Sequence, residues 1–136
     1  MQDFSKLTVL MVEDERHMSN LLNRTLYDLG VGEVLREPDG AKGIKTLFAR
    51  KDDIDLLILD LEMPVLDGIS VLKFLRNAEE FADNPLPVLV LTGHSDEKIV
   101  EEAAEIGVNA FMLKPISKAS LVKNMIRAMT YLPTNE

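Results

Sequence analysis

Short apolar runs alternate along the chain with stretches whose apolar residues recur every three or four positions. The runs from Leu7 to Val12, Glu33 to Glu37, Asp55 to Leu59, Pro87 to Leu91 and Ala110 to Leu113 are branched or leucine-rich and bounded by turn or charged residues. That pattern predicts five strands. Between them, Met18, Leu21, Leu22, Leu26 and Leu29 fall at helical spacing ahead of Gly30, a residue suited to stop a helix. A second helix starts at about Asp39, with Ala41, Ile44, Leu47 and Phe48 on one face, and a third follows Gly68 through Leu72 and Leu75. The fourth runs from Ser95 or Asp96 toward Gly107. The fifth follows Pro115, takes Ser117 as its N-cap and turns Leu121, Val122, Met125, Ile126 and Met129 inward. Five strands, each followed by a helix and several of them apolar throughout, require a parallel sheet buried on both faces. The expected fold is therefore a doubly wound α/β domain, a single domain over residues 1–136. Asn77 to Pro87 reads as a connection and Pro133 to Glu136 as a frayed tail.

Composition narrows the function. The absence of cysteine excludes a disulfide scaffold and any thiolate zinc site. A net charge of −8 is the wrong sign for nucleic acid phosphates or an anionic leaflet, so direct nucleic acid binding and membrane insertion are not expected. The acidic residues from Glu13 to Glu15 interrupt the first apolar run too early for a signal peptide, which points to a cytoplasmic protein. With two histidines, His17 and His94, there is little material for histidine metal sites or a serine triad. Any chemistry has to come from the carboxylates.

Ligands of open α/β sheets bind outside the carboxyl ends of the strands. There the first strand ends in Glu13, Asp14 and Glu15, the third in Asp60, the fourth in Thr92 and the fifth in Lys114. Carboxylates brought together resist joint ionisation unless a cation sits among them, and Mg2+ suits a shallow all-oxygen site that also takes a phosphoryl oxygen. Asp14 and Asp60 are expected to bind the metal directly, with Glu13 acting through a water. A carboxylate in such a setting can be a nucleophile toward phosphorus. Asp60 is the candidate phosphoacceptor, with the Lys114 ammonium and the Thr92 hydroxyl stabilising the transferring oxygens. Singly, the acidic run is an ordinary helix-start cluster and Lys114 an ordinary surface lysine. Asp60, closing a fully apolar strand, is harder to explain without work to do.

The segments "VEDE" (Val12 to Glu15), "LILDLEMPVLDG" (Leu57 to Gly68), "VLTG" (Val90 to Gly93) and "FMLKP" (Phe111 to Pro115), in this order, resemble the receiver domains of two-component response regulators, and single-domain chemotaxis regulators in extent. The resemblance covers about residues 7–132. It implies a flavodoxin-like five-stranded parallel sheet of order 2-1-3-4-5 with five helices. It also implies Asp60 as phosphoacceptor, Glu13 and Asp14 as the acidic pair for Mg2+, the Glu62 backbone carbonyl as a further metal ligand, and Thr92 and Lys114 as phosphoryl-binding groups. Phe111 matches an aromatic that moves with Thr92 in a conformational switch, though it lacks the hydroxyl of the tyrosine found in some members. The Lys114–Pro115 bond matches one that is often cis. Gly93, smaller than the usual alanine, is expected to leave the site more open, and Glu62 and His94 to tune dephosphorylation.

The implied function is a switch. A histidine kinase or histidine phosphotransfer protein donates to Asp60, and the face formed by the fourth helix, fifth strand and fifth helix then changes its protein target. Such a chain is a phosphoacceptor with slow self-dephosphorylation, not an enzyme with a separate substrate. The Met1 start and short tail favour a stand-alone receiver. Alternatives are a pseudo-receiver, a phosphorelay intermediate without output, or an aspartyl-phosphate phosphohydrolase. The last places its nucleophile after a first strand, where Asp60 follows the third.

Overall fold

A computed structural model describes residues 3–63, 66–93 and 97–130. Within them lie β1 (Thr8–Val12), α1 (Arg16–Asp28), β2 (Glu33–Glu37), α2 (Gly40–Ala49), β3 (Leu56–Asp60), α3 (Gly68–Asn77), β4 (Val88–Thr92), α4 (Glu97–Ile106), β5 (Ala110–Leu113) and α5 (Lys118–Thr130). The strands form one parallel sheet of order β2-β1-β3-β4-β5, the expected flavodoxin-like arrangement. Asp60 and Thr92 are the last residues of their strands rather than the first beyond them, while Leu7, Asp55 and Pro87 fall just outside. His94, the expected start of the fourth helix at Ser95 or Asp96, and the tail from Pro133 lie outside the described residues.

The sheet divides the apolar side chains by parity, because alternate strand residues point to opposite faces. Val9, Met11, Leu56, Ile58, Leu89, Leu91, Ala110 and Met112 pack on one side with Leu22 and Leu26 of α1 and Leu121 and Met125 of α5. Leu10, Val12, Leu57, Leu59, Val88 and Val90 pack on the other with Leu47 of α2, Leu72 and Leu75 of α3 and Ala103 of α4. β3 and β4 are buried along their whole length, as strands sandwiched between helix layers must be. The parity continues into the polar strand ends. Glu13, Asp60 and Lys114 extend the α1/α5 series, whereas Thr92 extends the other.

The helices start on side-chain oxygens that satisfy otherwise unpaired amides. Glu15 accepts from the amides of His17 and Met18 at α1, Asp39 from Lys42 at α2, and Asp67 from Ser70 at α3. Ser117 accepts from the Ser120 amide, as its predicted capping role requires. Gly30 ends the first helical stretch at φ +89°, a left-handed conformation that side chains with a Cβ disfavour. Within the connection from Asn77 to Pro87, residues Glu79–Phe81 form a single 3-10 turn that buries Phe81 against the α2–α3 layer. Three residues are too few for apolar periodicity to announce a helix.

Candidate functional site

Three strands deliver the site. β1 ends at Val12, so Glu13 and Asp14 emerge at the carboxyl edge of the sheet; β3, next to it, carries Asp60 there, and β5 is followed at once by Lys114. One carboxylate oxygen from each of Glu13, Asp14 and Asp60 lies within 4.8 Å of the others. Glu13 and Asp60 are 2% and 1% exposed, whereas Asp14 faces solvent. The Lys114 Nζ donates to Asp60 Oδ2 at 3.1 Å and stands 3.3 Å from Glu13 Oε1. The peptide bond from Lys114 to Pro115 is cis.

The carboxylates are unequally satisfied. Asp60 Oδ1 accepts from the Glu62 amide at 3.0 Å, and Glu13 Oε2 from the Glu15 amide at 3.1 Å. Glu13 Oε1 is buried without a hydrogen-bond partner, its nearest charge being the Lys114 ammonium at 3.3 Å. Burial, proximity to Asp60 and the charge there push the Glu13 carboxyl up to about 7, against the Glu15 amide and the Lys114 charge, which favour ionisation. Burial alone would pull the Lys114 ammonium down. Its hydrogen bond with Asp60 and the charges of Asp60 and Glu13 outweigh that and hold it above its ordinary value.

One ammonium therefore pairs with two buried carboxylates, a third carboxylate stands beside them, and one buried oxygen is left without a hydrogen-bond partner. This donor set fits a hard divalent cation: it is all oxygen, preassembled, and short of positive charge. Glu13, Asp14 and Asp60 are the side chains that would hold Mg2+. Next to Glu13 and Asp14 opens a polar depression of about 380 Å³, bordered by Arg16 and Arg36. Ser19 and Asn20 accept from the Arg36 guanidinium and fix it there.

Of the remaining predicted residues, Thr92, Gly93 and Glu62 lie at the same edge, Phe111 lies within β5, and His94 is outside the described residues. Thr92 is 5% exposed at the end of β4, and its carbonyl accepts from the Lys114 amide at 2.9 Å. Phe111 is half-buried in β5, paired with Val90 and packed on the α2–α4 side of the sheet. Since Val90 and Thr92 share a face, Thr92 and Phe111 look toward the same helix layer. The space beside Gly93 is bordered by Glu62. The Glu62 side chain crosses from the β3 loop, its Oε1 accepts from the Gly93 amide at 3.3 Å, and its Oε2 lies 3.4 Å from where a Cβ on Gly93 would stand. Glu62, itself exposed, lies along that space.

Two residues serve this geometry without having been read as functional. A Cβ on Gly68 would stand 2.4 Å from the Asp60 carbonyl oxygen and 2.6 Å from Leu61 Cα, so only glycine lets the start of α3 close on the Asp60 backbone. Its place at the end of the "LILDLEMPVLDG" segment was the available signal. Arg76, near the end of α3, donates from Nε to the Gly107 carbonyl at 3.0 Å, from Nη1 to the Leu86 carbonyl at 2.8 Å and from Nη2 to Asn109 Oδ1 at 3.1 Å. It ties α3 to the entry of β4 and the α4–β5 turn at the edge remote from Asp60. Sequence gave no signal for it, since its partners are 10 to 33 residues away.

Residues 9–126 match the family described as the response regulator receiver domain. The chain is 33% identical over 119 residues to the chemotaxis protein CheY-3 of Vibrio cholerae, covering 88% of each, and 31% identical to chemotaxis protein CheY of Pseudomonas aeruginosa, covering 88% of this chain and 93% of that one. Among solved structures it superposes on CheY4 of Vibrio cholerae with a TM-score of 0.79 at 27% identity, covering 90% and 98% of the two chains. It also superposes on the CheX-CheY-BeF3-Mg2+ complex of Borrelia burgdorferi, with a TM-score of 0.78 at 25% identity and coverage of 88% and 87%.

Proposed function

The chain belongs to the response regulator receiver family, and from that premise we propose that it is a phosphorylation-driven switch whose phosphoacceptor is Asp60. Receiver domains of two-component signalling act with histidine kinases, and a phosphohistidine on a kinase or phosphotransfer protein is the donor in this reading. It treats residues 1–136 as one receiver domain acting in the cytoplasm. Among the described residues, no helix is long and apolar enough to cross a membrane.

The observation that carries the proposal is the preassembled polar edge: Asp60 buried at the end of a central strand, bonded to Lys114, inside a carboxylate trio with an unsatisfied oxygen. Bound there, Mg2+ supplies positive charge that neutralises the carboxylates and the incoming phosphoryl oxygens. An Asp60 carboxylate oxygen attacks phosphorus, the P–N bond to the donor imidazole breaks, and the imidazole leaves with a proton from solvent. The Glu62 amide holds Asp60 Oδ1 and so fixes the plane of the carboxylate. Lys114 exchanges its bond to Asp60 Oδ2 for one to a phosphoryl oxygen, keeping its charge within the site. The Thr92 hydroxyl donates to a second phosphoryl oxygen. Arg16 and Arg36 moderate the field on the approach side, where an anionic donor would otherwise meet only acid.

The readout follows from the same geometry. Drawing Thr92 toward the phosphoryl group removes contacts on the face it shares with Phe111, so Phe111 moves inward and the surface of α4, β5 and α5 changes for its target. Leu113, 62% exposed on β5, lies on that surface. Glu62 covers the space beside Gly93 and limits access of water to the phosphoryl group, which fits a slow self-dephosphorylation.

The test is intact mass after incubation with acetyl phosphate, with and without Mg2+. One added phosphoryl group, dependent on Mg2+ and absent from Asp60→Asn, is the expected result. An adduct that persists in Asp60→Asn, or forms equally without metal, would overturn the assignment.

A further inference from the structure

A broad depression among the described residues is remote from Asp60. It has a volume of about 580 Å³ and lies between α2 and α3, near the 3-10 turn Glu79–Phe81. That size is within the range of about 300–1,000 Å³ typical of ligand pockets. Ser70, Lys73, Phe74 and Asn77, spaced i, i+3, i+4 and i+7, present one face of α3 to it, opposite the buried Leu72 and Leu75. In a helix whose inner face already supplies the core, an aromatic on the outer face has no packing task. Yet Phe74 is 50% exposed and is held rather than loose: its ring meets Phe48 of α2 edge-on at 5.6 Å, and Phe48 in turn meets buried Phe81 at 5.8 Å. The three rings make a continuous path from solvent into the α2–α3 core.

The rim has a definite charge. Glu79 and Glu80 project from the 3-10 turn, both exposed and neither in an ion pair among the described residues, against the single cation Lys73. The rim is thus acidic where the turn closes the groove. The helices run antiparallel to the strands, so the late α3 residues and the turn leading into β4 lie at the amino edge of the sheet, the edge away from Asp60 and Lys114.

We propose that this groove is a second protein-docking site, separate from the α4, β5 and α5 surface, and that it takes a short peptide segment with an aromatic or leucine anchor flanked by lysine or arginine. The anchor packs on Phe74 and Phe48 and covers the exposed ring face. The flanking cation pairs with Glu79 and Glu80, which sets the orientation of the segment. A rigid aromatic in a concave site bordered by charge is the usual composition of an interface centre. The proposal does not depend on phosphorylation of Asp60.

Selection of a random peptide library displayed on phage against the whole chain tests it, with counter-selection on Phe74→Ser. Phe74 is half exposed, so that variant keeps its fold, and its melting temperature serves as the control. The expected winners carry an aromatic or leucine next to a basic residue, bind about tenfold more weakly to Phe74→Ser and about threefold or more weakly to the double variant Glu79→Lys, Glu80→Lys. Amide shifts on binding should map to residues 48, 70–80 and not to α5. Winners lacking a basic residue, winners unaffected by the charge reversal, shifts confined to α4, β5 and α5, or no peptide distinguishing Phe74→Ser from the native chain would each overturn the proposal. So would self-association of the chain abolished by Phe74→Ser, which would make a second copy the occupant.

Discussion

The two edges of the sheet each hold buried charge and treat it in opposite ways. At the amino edge, Arg76 is taken out of water far enough that burial lowers its pKa, yet its guanidinium reaches two backbone carbonyls and an asparagine oxygen. At the carboxyl edge, two buried carboxylates share one lysine beside a third, exposed carboxylate, and a buried oxygen of Glu13 has that lysine's charge near it but no hydrogen-bond partner. Buried polar groups that are satisfied fix a structure; those left unsatisfied cost free energy and are kept where a ligand completes them. The amino edge is scaffold, and the carboxyl edge has the unsatisfied charge that the proposed site for a cation and a phosphoryl group requires.

The sharpest way to break this contrast is to substitute at each edge and read both phosphorylation and stability. Asp60→Asn should abolish the Mg2+-dependent adduct, while leaving the metal-free protein at least as stable as wild type, because it removes one of three mutually repelling charges. Lys114→Ala should slow phosphorylation by acetyl phosphate about 100-fold, the usual cost of losing a donor aimed at the transferring group. Arg76→Met should do the reverse. It leaves the Leu86 and Gly107 carbonyls without this donor, destabilises the fold by about 3 kcal/mol in urea unfolding, and still permits the adduct. An Asp60→Asn protein that melts well below wild type, or an Arg76→Met protein of unchanged stability, would erase the distinction.

The pH dependence of stability sharpens it further. The Glu13 carboxyl sits at about 7 in the fold against 4.5 ordinarily, so the folded state binds more protons than the unfolded one between those values. Its contribution is fully present below about pH 4.5 and lost as pH rises through about 7, a change of up to about 3 kcal/mol in metal-free protein. Mg2+ competes with that proton. Its stabilisation, followed by melting temperature, should therefore be larger at about pH 8 than at about pH 5.5. Glu13→Gln should flatten the metal-free dependence, and equal stabilisation at both pH values would show that protons and metal do not compete there.

The edges also differ in how far they could be read from sequence. The carboxyl edge was legible because its residues abut apolar strands: a carboxylate directly after "LLIL" and a lysine directly after "AFML" are placed by the strand itself, and strand order brings them together. The single sheet between two helix layers was legible for the same reason, from runs too apolar to face water. What stayed hidden depends on tertiary distance. Glu13 and Asp14 are adjacent in sequence but one is buried and the other exposed, because alternate residues leaving β1 point to opposite sides. Arg76 is a single cation in the last turn of a helix, and its partners appear only when α3, β4 and the α4–β5 turn meet. The Glu62–Gly93 contact likewise joins two loops from neighbouring strands, so sequence alone did not show which side chain stands beside Gly93.

That contact gives the smallest of the expected effects, and one that separates filling from charge. Glu62→Ala removes the carboxylate lying 3.4 Å from the Cβ position of residue 93 and opens the phosphoryl group to water, so the aspartyl phosphate should decay about threefold faster, under 1 kcal/mol of barrier. Gly93→Ala alone requires Glu62 to shift by only a few tenths of an ångström and should change the decay less than that. In the Glu62→Ala background, the methyl of Gly93→Ala re-enters the vacated space. If occupancy of that space limits water, the double variant returns toward the wild-type rate and the two substitutions are non-additive. If the Glu62 charge acts by itself, the added methyl leaves the faster decay unchanged. Phosphorylated-protein mass followed over time after removal of acetyl phosphate distinguishes the two, because only occupancy makes the effect of residue 93 depend on what stands at residue 62.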